Sequence, residues 1–335
     1  MRQVTPLVQY VQSLERALTG DMGITVEGTN ASVPGDDQYH PNSANSLTML
    51  PIDPYLGARY IDVFPIGTNN FTWKIQAAPY IQLSQSTGTL SPTSPDVRVN
   101  VTVNWGMLPN GTTSTTINVT SSTDYGAQYS MPQLVLPINN TKVPSSFMSG
   151  FVESEATVSI EAEHFSRISG NSSSSPTYIV LPSYGRTLSA VTYSQGYIQQ
   201  NLTTSSAPAL EYDFYTFTPT TAKSPANITL ILGTGLNADP TRPLRYGIAV
   251  DGQTPHVVKY IQDQTGGQTP VGWGQAVADA AWKSTTNTTI AAGKHTLKIW
   301  QLEPGVVLQK VIVDLGGVRP SYLGPPESTL SLIHI

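Results

Sequence analysis

The feature of this sequence that most restricts its fold is one segment in which apolar and polar residues alternate strictly. Val97, Val99, Val101, Val103 and Trp105 are each separated by a single polar residue. Successive side chains of a β-strand point to opposite faces, so this period of two predicts a strand with one buried and one hydrated face. Five further candidate strands lie at 59–64, 71–76, 79–83, 115–120 and 132–138.

Short strands that recur at regular spacing predict a β-sandwich. We therefore assign an immunoglobulin-like sandwich to residues 58–141, a linker to 142–156, a larger jelly-roll sandwich to 157–320 and a tail to 321–335. The second series of candidate strands lies at 157–163, 177–181, 189–193, 210–217, 227–232, 245–251, 256–260, 294–300 and 306–314. The predicted fold class is all-β, with two sandwich domains.

One helix is predicted before the sandwiches. Apolar residues in 4–19 recur at helical spacing, and Gly20 is a suitable C-cap. A single helix of this length is marginal in water, so we interpret residues 1–20 as one helix of an upstream bundle. Residues 21–57 are rich in Gly, Pro, Asn and Asp and are predicted to be an extended connector.

Composition excludes several classes of function. Only 12% of the 335 residues are charged and the net charge is −5, whereas binding to nucleic acid needs a cationic surface. No stretch reaches the about 18 apolar residues of a membrane helix. Cysteine is absent, which excludes disulfides and cysteine-bound metals.

Ten Asn-x-Ser/Thr sequons indicate the secretory pathway, although a chain this rich in Ser and Thr also forms sequons by chance. Residues 1–20 lack the apolar core of a signal peptide, so an extracellular protein is expected to carry its signal further upstream. The candidate glycosylation sites are Asn30, Asn70, Asn100, Asn110, Asn118, Asn139, Asn171, Asn201, Asn227 and Asn287.

Several motifs resemble one known family. They are SIEAEHF at 159–165, LRYGIAVDG at 244–252, GKHTLKIW at 293–300 and, most specifically, DLGGVRPSYLGPPES at 314–328. Together they resemble the C-terminal domain of glycoside hydrolase family 115, the xylan α-1,2-glucuronidases. Upstream, residues 22–28 and 53–64 are similar to the segment before that domain, and residues 71–120 are similar to a BACON-type module.

The resemblance implies a non-catalytic accessory region that supports a catalytic barrel absent from this chain. The expected partners are that barrel, the helical bundle and glucuronoxylan. A homodimer is a further possibility. The only close acidic pairs, Asp36–Asp37 and Glu161/Glu163, give no reason to expect the two facing carboxylates of a glycosidase. The alternatives are a free-standing carbohydrate-binding module for plant cell-wall polysaccharide and, from the sequons alone, a structural glycoprotein.

No cofactor is required by this interpretation, but one ion is a candidate. Glu161 and Glu163 lie two apart on a predicted strand and so point the same way, and a cation or a cationic side chain would relieve their repulsion. Similarity to sandwich carbohydrate-binding modules adds Asp314 as the third ligand of a structural Ca²⁺, which prefers oxygen ligands. Alternatively, one glutamate makes a hydrogen bond and the other faces solvent.

Sugar binding would need an exposed aromatic ring. Trp273 lies in a Gly-rich segment, predicted to be a loop at 265–274, and Trp282 follows it. Both are candidates, with core packing as the alternative. Tyr184, Tyr193 and Tyr197 form a further aromatic cluster along the sequence.

Overall fold

A computed structural model describes residues 21–29, 31–33, 46–122, 133–170, 175–262 and 268–332. The chain divides into two compact units, Met1–Lys142 and Val143–Ile335. The predicted helix at 4–19 lies outside the described residues. Across the described ranges, no helix is long and apolar enough to cross a membrane.

The first unit contains two packed sheets. One has the strand order β1-β3-β7-β5 and the other β2-β9-β8-β4-β6. The strands are β1 (Met22–Val26), β2 (Ser46–Thr48), β3 (Arg59–Pro65), β4 (Phe71–Gln76), β5 (Ile81–Leu83), β6 (Thr87–Leu90), β7 (Val97–Val103), β8 (Gly111–Ser121) and β9 (Gln133–Asn140).

Alternation along the strands builds the core of this unit. In β4, Phe71, Trp73 and Ile75 are buried while the residues between them are exposed. Val99 and Val101 of β7, in the other sheet, belong to the same core cluster. The two inner faces therefore pack on each other as a sandwich, as predicted.

The predicted connector at 21–57 is not merely a connector, because it supplies two strands. β1 pairs antiparallel with β3, which places Ile24 opposite Val63, and β2 pairs in parallel with β9. β2 has only three residues and β1 only five, and both pair with residues distant in sequence.

The second unit is a larger sandwich. One sheet has the order β18-β17-β20-β15-β10-β22 with β12 on β15, and the other has β13-β14-β21-β16-β19 with β11 on β21. The elements are β10 (Ser149–Val152), β11 (Thr157–Glu161), β12 (Arg167–Ser169), β13 (Tyr178–Leu181), β14 (Ala190–Tyr193), β15 (Ala209–Thr216), β16 (Ala226–Gly233), β17 (Arg245–Val250), β18 (His256–Lys259), α1 (Trp273–Ala278), β19 (Ala281–Thr288), β20 (Gly293–Gln301), β21 (Leu308–Asp314) and β22 (Leu330–Leu332). The all-β class with two sandwiches is confirmed.

The predicted linker and tail belong to the second sandwich. β10 lies within the linker and β22 within the tail, and the two pair antiparallel with Phe151 opposite Leu330. β10 also pairs in parallel with β15, so it is part of the sheet rather than a spacer. Each strand is only three or four residues long, which is too short for a sequence pattern.

Candidate functional site

The predicted calcium ligand Glu161 is instead paired with a lysine. Its Oε1 lies 3.0 Å from Nζ of Lys310, and the two side chains are only 6% and 4% exposed. Thr187 Oγ1 donates a hydrogen bond of 2.6 Å to the same oxygen. The pairing follows from strand register, because β11 runs antiparallel to β21 and places Glu161 opposite Lys310. A cationic side chain therefore supplies the positive charge.

The other two predicted ligands lie elsewhere. β11 ends at Glu161, and Glu163 lies in a short 3₁₀ turn, so the two side chains are not on one strand. Asp314 is opposite Thr157, at the far end of β11, and accepts backbone hydrogen bonds from Gly316 and Val318. The structure does not bring the three carboxylates together. No group of three His, Cys, Asp or Glu side chains suited to a metal occurs within the described ranges.

The two predicted sugar-binding tryptophans differ in exposure. Trp282 is a core residue, 8% exposed, whose Nε1 donates to the carbonyl of Gly235 at 3.0 Å, so it is not available for stacking on a sugar. Trp273 begins α1 rather than lying in a loop, and it is half-buried. Its ring centroid lies 6.1 Å from that of Trp282. The sequence could not distinguish them, because each has apolar neighbours.

The sequon asparagines that the structure describes all reach the surface. Asn30 and Asn171 lie outside the described residues. Two are half-buried, namely Asn139 and Asn227. The exposed ones are Asn70, Asn100, Asn110, Asn118, Asn201 and Asn287.

Residues 317–328 of the closing motif form a strap that packs against β11 of the same unit. Ser328 exchanges hydrogen bonds with Ser159, its N–H donating to the carbonyl and its Oγ accepting from the N–H. Glu327 Oε1 accepts from the N–H of Glu161 at 2.8 Å. The strap thus covers the open edge of β11, which would otherwise present unpaired backbone groups.

Exposed apolar side chains occur in the strap and in two segments that Tyr322 of the strap contacts, the loop around Arg186 and the end of α1. We call this set the strap patch; its members are Tyr184, Leu188, Val277, Tyr322 and Leu323, which are 41–61% exposed. Arg186 connects the loop that carries Tyr184 and Leu188 to the strap, because its guanidinium lies 4.2 Å from the Tyr322 ring centroid. Tyr322 Oη lies 3.4 Å from the carbonyl of Ala278, at the end of α1. Under the strap is a cavity of about 180 Å³.

Two buried carboxylates of β15 are paired with cations. Glu211 contacts Arg167 and Lys298, and Asp213 contacts Arg167. Burial alone would raise the pKa of both acids, but hydrogen bonds from Lys298 to Glu211 and from Arg167 to Asp213 hold each pKa below its ordinary value. A general acid for glycoside cleavage needs the opposite shift, so these pairs have the character of structural ion pairs.

Sequence reasoning missed an open groove of about 670 Å³ at the beginning of the β14–β15 connection. Its lining is Pro176, Gln195, Tyr197, Ile198, Gln199 and Gln200. Tyr197 belongs to the tyrosine cluster noted in the sequence, and that cluster was the only feature of the sequence that pointed to this groove. The glutamines have no motif spacing, and the loop shows no periodicity.

Comparison with known proteins identifies the second unit. The model of the glycosyl hydrolase family 115 C-terminal domain matches residues 150–327, more than half of the chain. No curated protein matches. Among solved structures, the family GH115 4-O-methyl-α-glucuronidase BtGH115A, with specificity for decorated arabinogalactans, is 16% identical over 52% of this chain, with a TM-score of 0.34. This chain spans 19% of its length.

Two carbohydrate-binding modules are also similar. The C-terminal CBM6 of the laminarinase LamC from Zobellia galactanivorans is 12% identical over 47% of this chain and 98% of its own, with a TM-score of 0.30. The module CBM6cm-2 of Cellvibrio mixtus lichenase 5A, solved with cellotriose, is 13% identical over 47% of this chain and 95% of its own, with a TM-score of 0.29.

Proposed function

Since the chain belongs to glycoside hydrolase family 115, whose C-terminal domain it carries, we propose that it is the non-catalytic scaffold of a xylan α-1,2-glucuronidase. Family membership directly supports the more general assignment, an accessory domain of a glycoside hydrolase. The proposal adds the substrate, glucuronoxylan, and a supporting role toward an upstream barrel and helical bundle. It also places the protein outside the cell, with a signal peptide upstream and glycans on its sequons.

The observation that carries the proposal is the strap patch. Large apolar side chains that are exposed together mark surfaces that contact another protein region. Complete burial of a large apolar side chain contributes about 1.5–3 kcal/mol, and these five are about half exposed, so each would add roughly half of that when covered. The family signature holds the patch in place, because Tyr322 and Leu323 belong to the strap. We assign the catalytic barrel of the same polypeptide as the occupant.

Activity of the chain alone is the first test. We expect no release of 4-O-methylglucuronic acid from glucuronoxylan when this chain is incubated with it, because catalysis is assigned to the barrel. Release that disappears on substitution of a carboxylate of this chain would falsify the scaffold proposal.

Docking through the patch is the second test. In the parent polypeptide, Tyr322→Ser is expected to lower the melting temperature by several degrees, at about 2–4 °C per kcal/mol, and to leave the isolated chain nearly unchanged. Val257→Ser is the matched control, since Val257 is 46% exposed on β18, outside the patch. Equal effects of the two substitutions would contradict docking. So would a coding region upstream of Met1 that encodes no glucuronidase barrel.

A homodimer is the competing occupant of the patch. Sedimentation of the isolated chain distinguishes it from the barrel. A dimer that Tyr322→Ser converts to monomer would assign the patch to a second copy. The other candidate function, a carbohydrate-binding module, is favoured by the groove at Tyr197 and by the half-buried Trp273. Retardation on xylan gels that Trp273→Ala abolishes would support the tryptophan as its site.

A further inference from the structure

We propose that the groove beside Tyr197 is a binding site for a neutral oligosaccharide. Its volume of about 670 Å³ lies within the range of small-molecule sites. The inference is independent of the scaffold role, since it concerns different residues and holds for the isolated chain.

The loop that forms the groove is anchored at both ends. The N–H of Ser194 donates to the carbonyl of Thr177 at 2.8 Å. Further along, the carbonyl of Ile198 accepts from Arg242 Nη1 at 2.6 Å, and Arg242 is held by the buried Glu303 at 2.7 Å. Leu202, 1% exposed, fixes the far side of the loop in a small apolar cluster. A loop ordered before binding loses little conformational entropy when a ligand arrives.

Tyr197 presents the aromatic surface of the groove. Its side chain is 74% exposed, whereas the neighbouring Tyr193 is buried and donates its hydroxyl to the carbonyl of Gln301 at 2.6 Å. The Tyr178 ring packs on that of Tyr193 with centroids 4.7 Å apart. Burial raises the pKa of Tyr178 to about 12. Only Tyr197 of these three offers a face to a ligand, and sugar rings pack well on such a face.

The polar groups of the groove are uncharged amides. Gln195 Oε1 accepts from the N–H of Thr177 at 3.3 Å and from Ser194 Oγ at 3.0 Å, and no acceptor for its NH₂ group is found among the described residues. Gln199 and Gln200 are exposed, and no side-chain hydrogen bond is found for either within the described ranges. An amide donates and accepts at once, as sugar hydroxyls require.

The charge of the lining selects the class of ligand. None of the described residues that line this groove is ionisable at neutral pH. The cavity under the strap provides a contrast, because Arg186, Lys283, Asp314 and Arg319 line it. The Arg242 guanidinium lies 5.9 Å from the Tyr197 ring centroid, but it donates to the carbonyl of Ile198 and to the carboxylate of Glu303. Because its charge is already paired with Glu303, a uronic acid gains little from it, and a neutral sugar fits the groove better.

Calorimetry on the isolated chain tests the proposal. The chain is produced in a host that adds no N-glycans, because Asn201 is exposed next to Gln200. Neutral xylo-, cello- and laminari-oligosaccharides are titrated beside a uronic-acid oligosaccharide. We expect at least one neutral ligand to bind and Tyr197→Ala to weaken it about tenfold or more, as loss of a stacked aromatic does.

Matched variants complete the experiment. Tyr322→Ala removes a ring that is also exposed, at 61%, and is expected to leave affinity unchanged. Unchanged melting of Tyr197→Ala establishes that a loss of affinity is local. The proposal is overturned by three results: no binding of any neutral sugar, binding that Trp273→Ala rather than Tyr197→Ala removes, or binding confined to the acidic ligand. None of these bears on docking through the strap patch.

Discussion

The two sandwiches differ in what they bury. In the first unit, the described buried residues that carry charge are Asp21, Asp53 and Arg59. The second unit buries many more, namely Glu153, Glu161, Glu211, Asp213, Asp279, His295, Glu303 and Lys310. Both are layered β-structures with alternating strands, so layer architecture does not explain the difference. Several of these charges form ion pairs between neighbouring strands or between a loop and a strand, as Glu161–Lys310 and Arg242–Glu303 do.

The connections between strands carry the candidate sites of the second unit. In the second unit, the β14–β15 connection forms the groove, α1 carries Trp273 and the strap covers β11. Sites are commonly built on loops held by a rigid scaffold, and the described part of this unit follows that pattern. The comparison indicates that buried polar contacts hold these connections in place, and the following experiments test that inference.

The largest expected effect is that of Lys310→Met. The substitution leaves Glu161 buried without its cation, which should cost about 3–5 kcal/mol of unfolding free energy. Urea denaturation measures the loss. Adding Glu161→Gln removes the uncompensated charge and should recover most of the stability, because replacement of a whole buried pair is often nearly neutral.

Arg59→Met is the matched substitution in the first unit. Its partner Glu27 is 22% exposed and can regain water when the cation is removed. The main loss is then the pair of hydrogen bonds that Arg59 donates to the carbonyl of Pro51, so we expect about 1–3 kcal/mol. Equal losses for Lys310→Met and Arg59→Met would show that burial of the partner is not what separates the two units.

Gly317→Ala tests the strap and should have a smaller effect than Lys310→Met. A methyl group on Gly317 would overlap the carbonyl oxygen of Glu155, so the strap must shift from its place. Overpacking of this kind costs about 1–3 kcal/mol. Gly252→Ala is the control, because a methyl group there meets nothing within 4 Å. Thermal melting compares the two, and a Gly317→Ala protein as stable as Gly252→Ala would contradict a close-fitting strap.

Much of the fold could be predicted where alternation is long enough to see. The candidate at 71–76 coincides with β4 because its three buried residues are large and its neighbours polar. β19 was missed, although it spans eight residues, because most of its side chains are Ser, Thr, Asn or Lys and its place in the sheet comes from pairing with β16. β1, β10 and β22 were missed since pairing, not local pattern, makes them strands.

The candidate sites were less predictable, for a physical reason. Lys310 stands opposite Glu161 only because of the β11–β21 register, which composition and spacing do not specify. Trp273 and Trp282 are similar in sequence context, and the fold decides which one is buried. Tyr193 and Tyr197 lie four residues apart, yet β14 buries the first and its following loop exposes the second.

The smallest expected effect concerns the sequons. Asn227 of β16 and Asn287 of β19 stand directly opposite each other on one face, where paired Cβ atoms are about 4.5–5.5 Å apart. In the first unit, Asn118 stands opposite Gln133 and Asn139 opposite Thr112. We expect folded, secreted protein to carry a glycan at Asn227 or at Asn287 but not at both, because two glycans cannot occupy the same space.

Intact-mass spectrometry decides this after each glycan has been trimmed to one sugar, which makes the number of glycans per molecule countable. Asn287→Gln should leave that number unchanged, since Asn227 becomes free to carry the glycan in its place. Asn118→Gln, the control, should lower it by one, because its sequon has no competitor opposite. A loss of one glycan in the Asn287→Gln protein would mean that the paired sites are filled independently, and the second sandwich would then resemble the first in this respect.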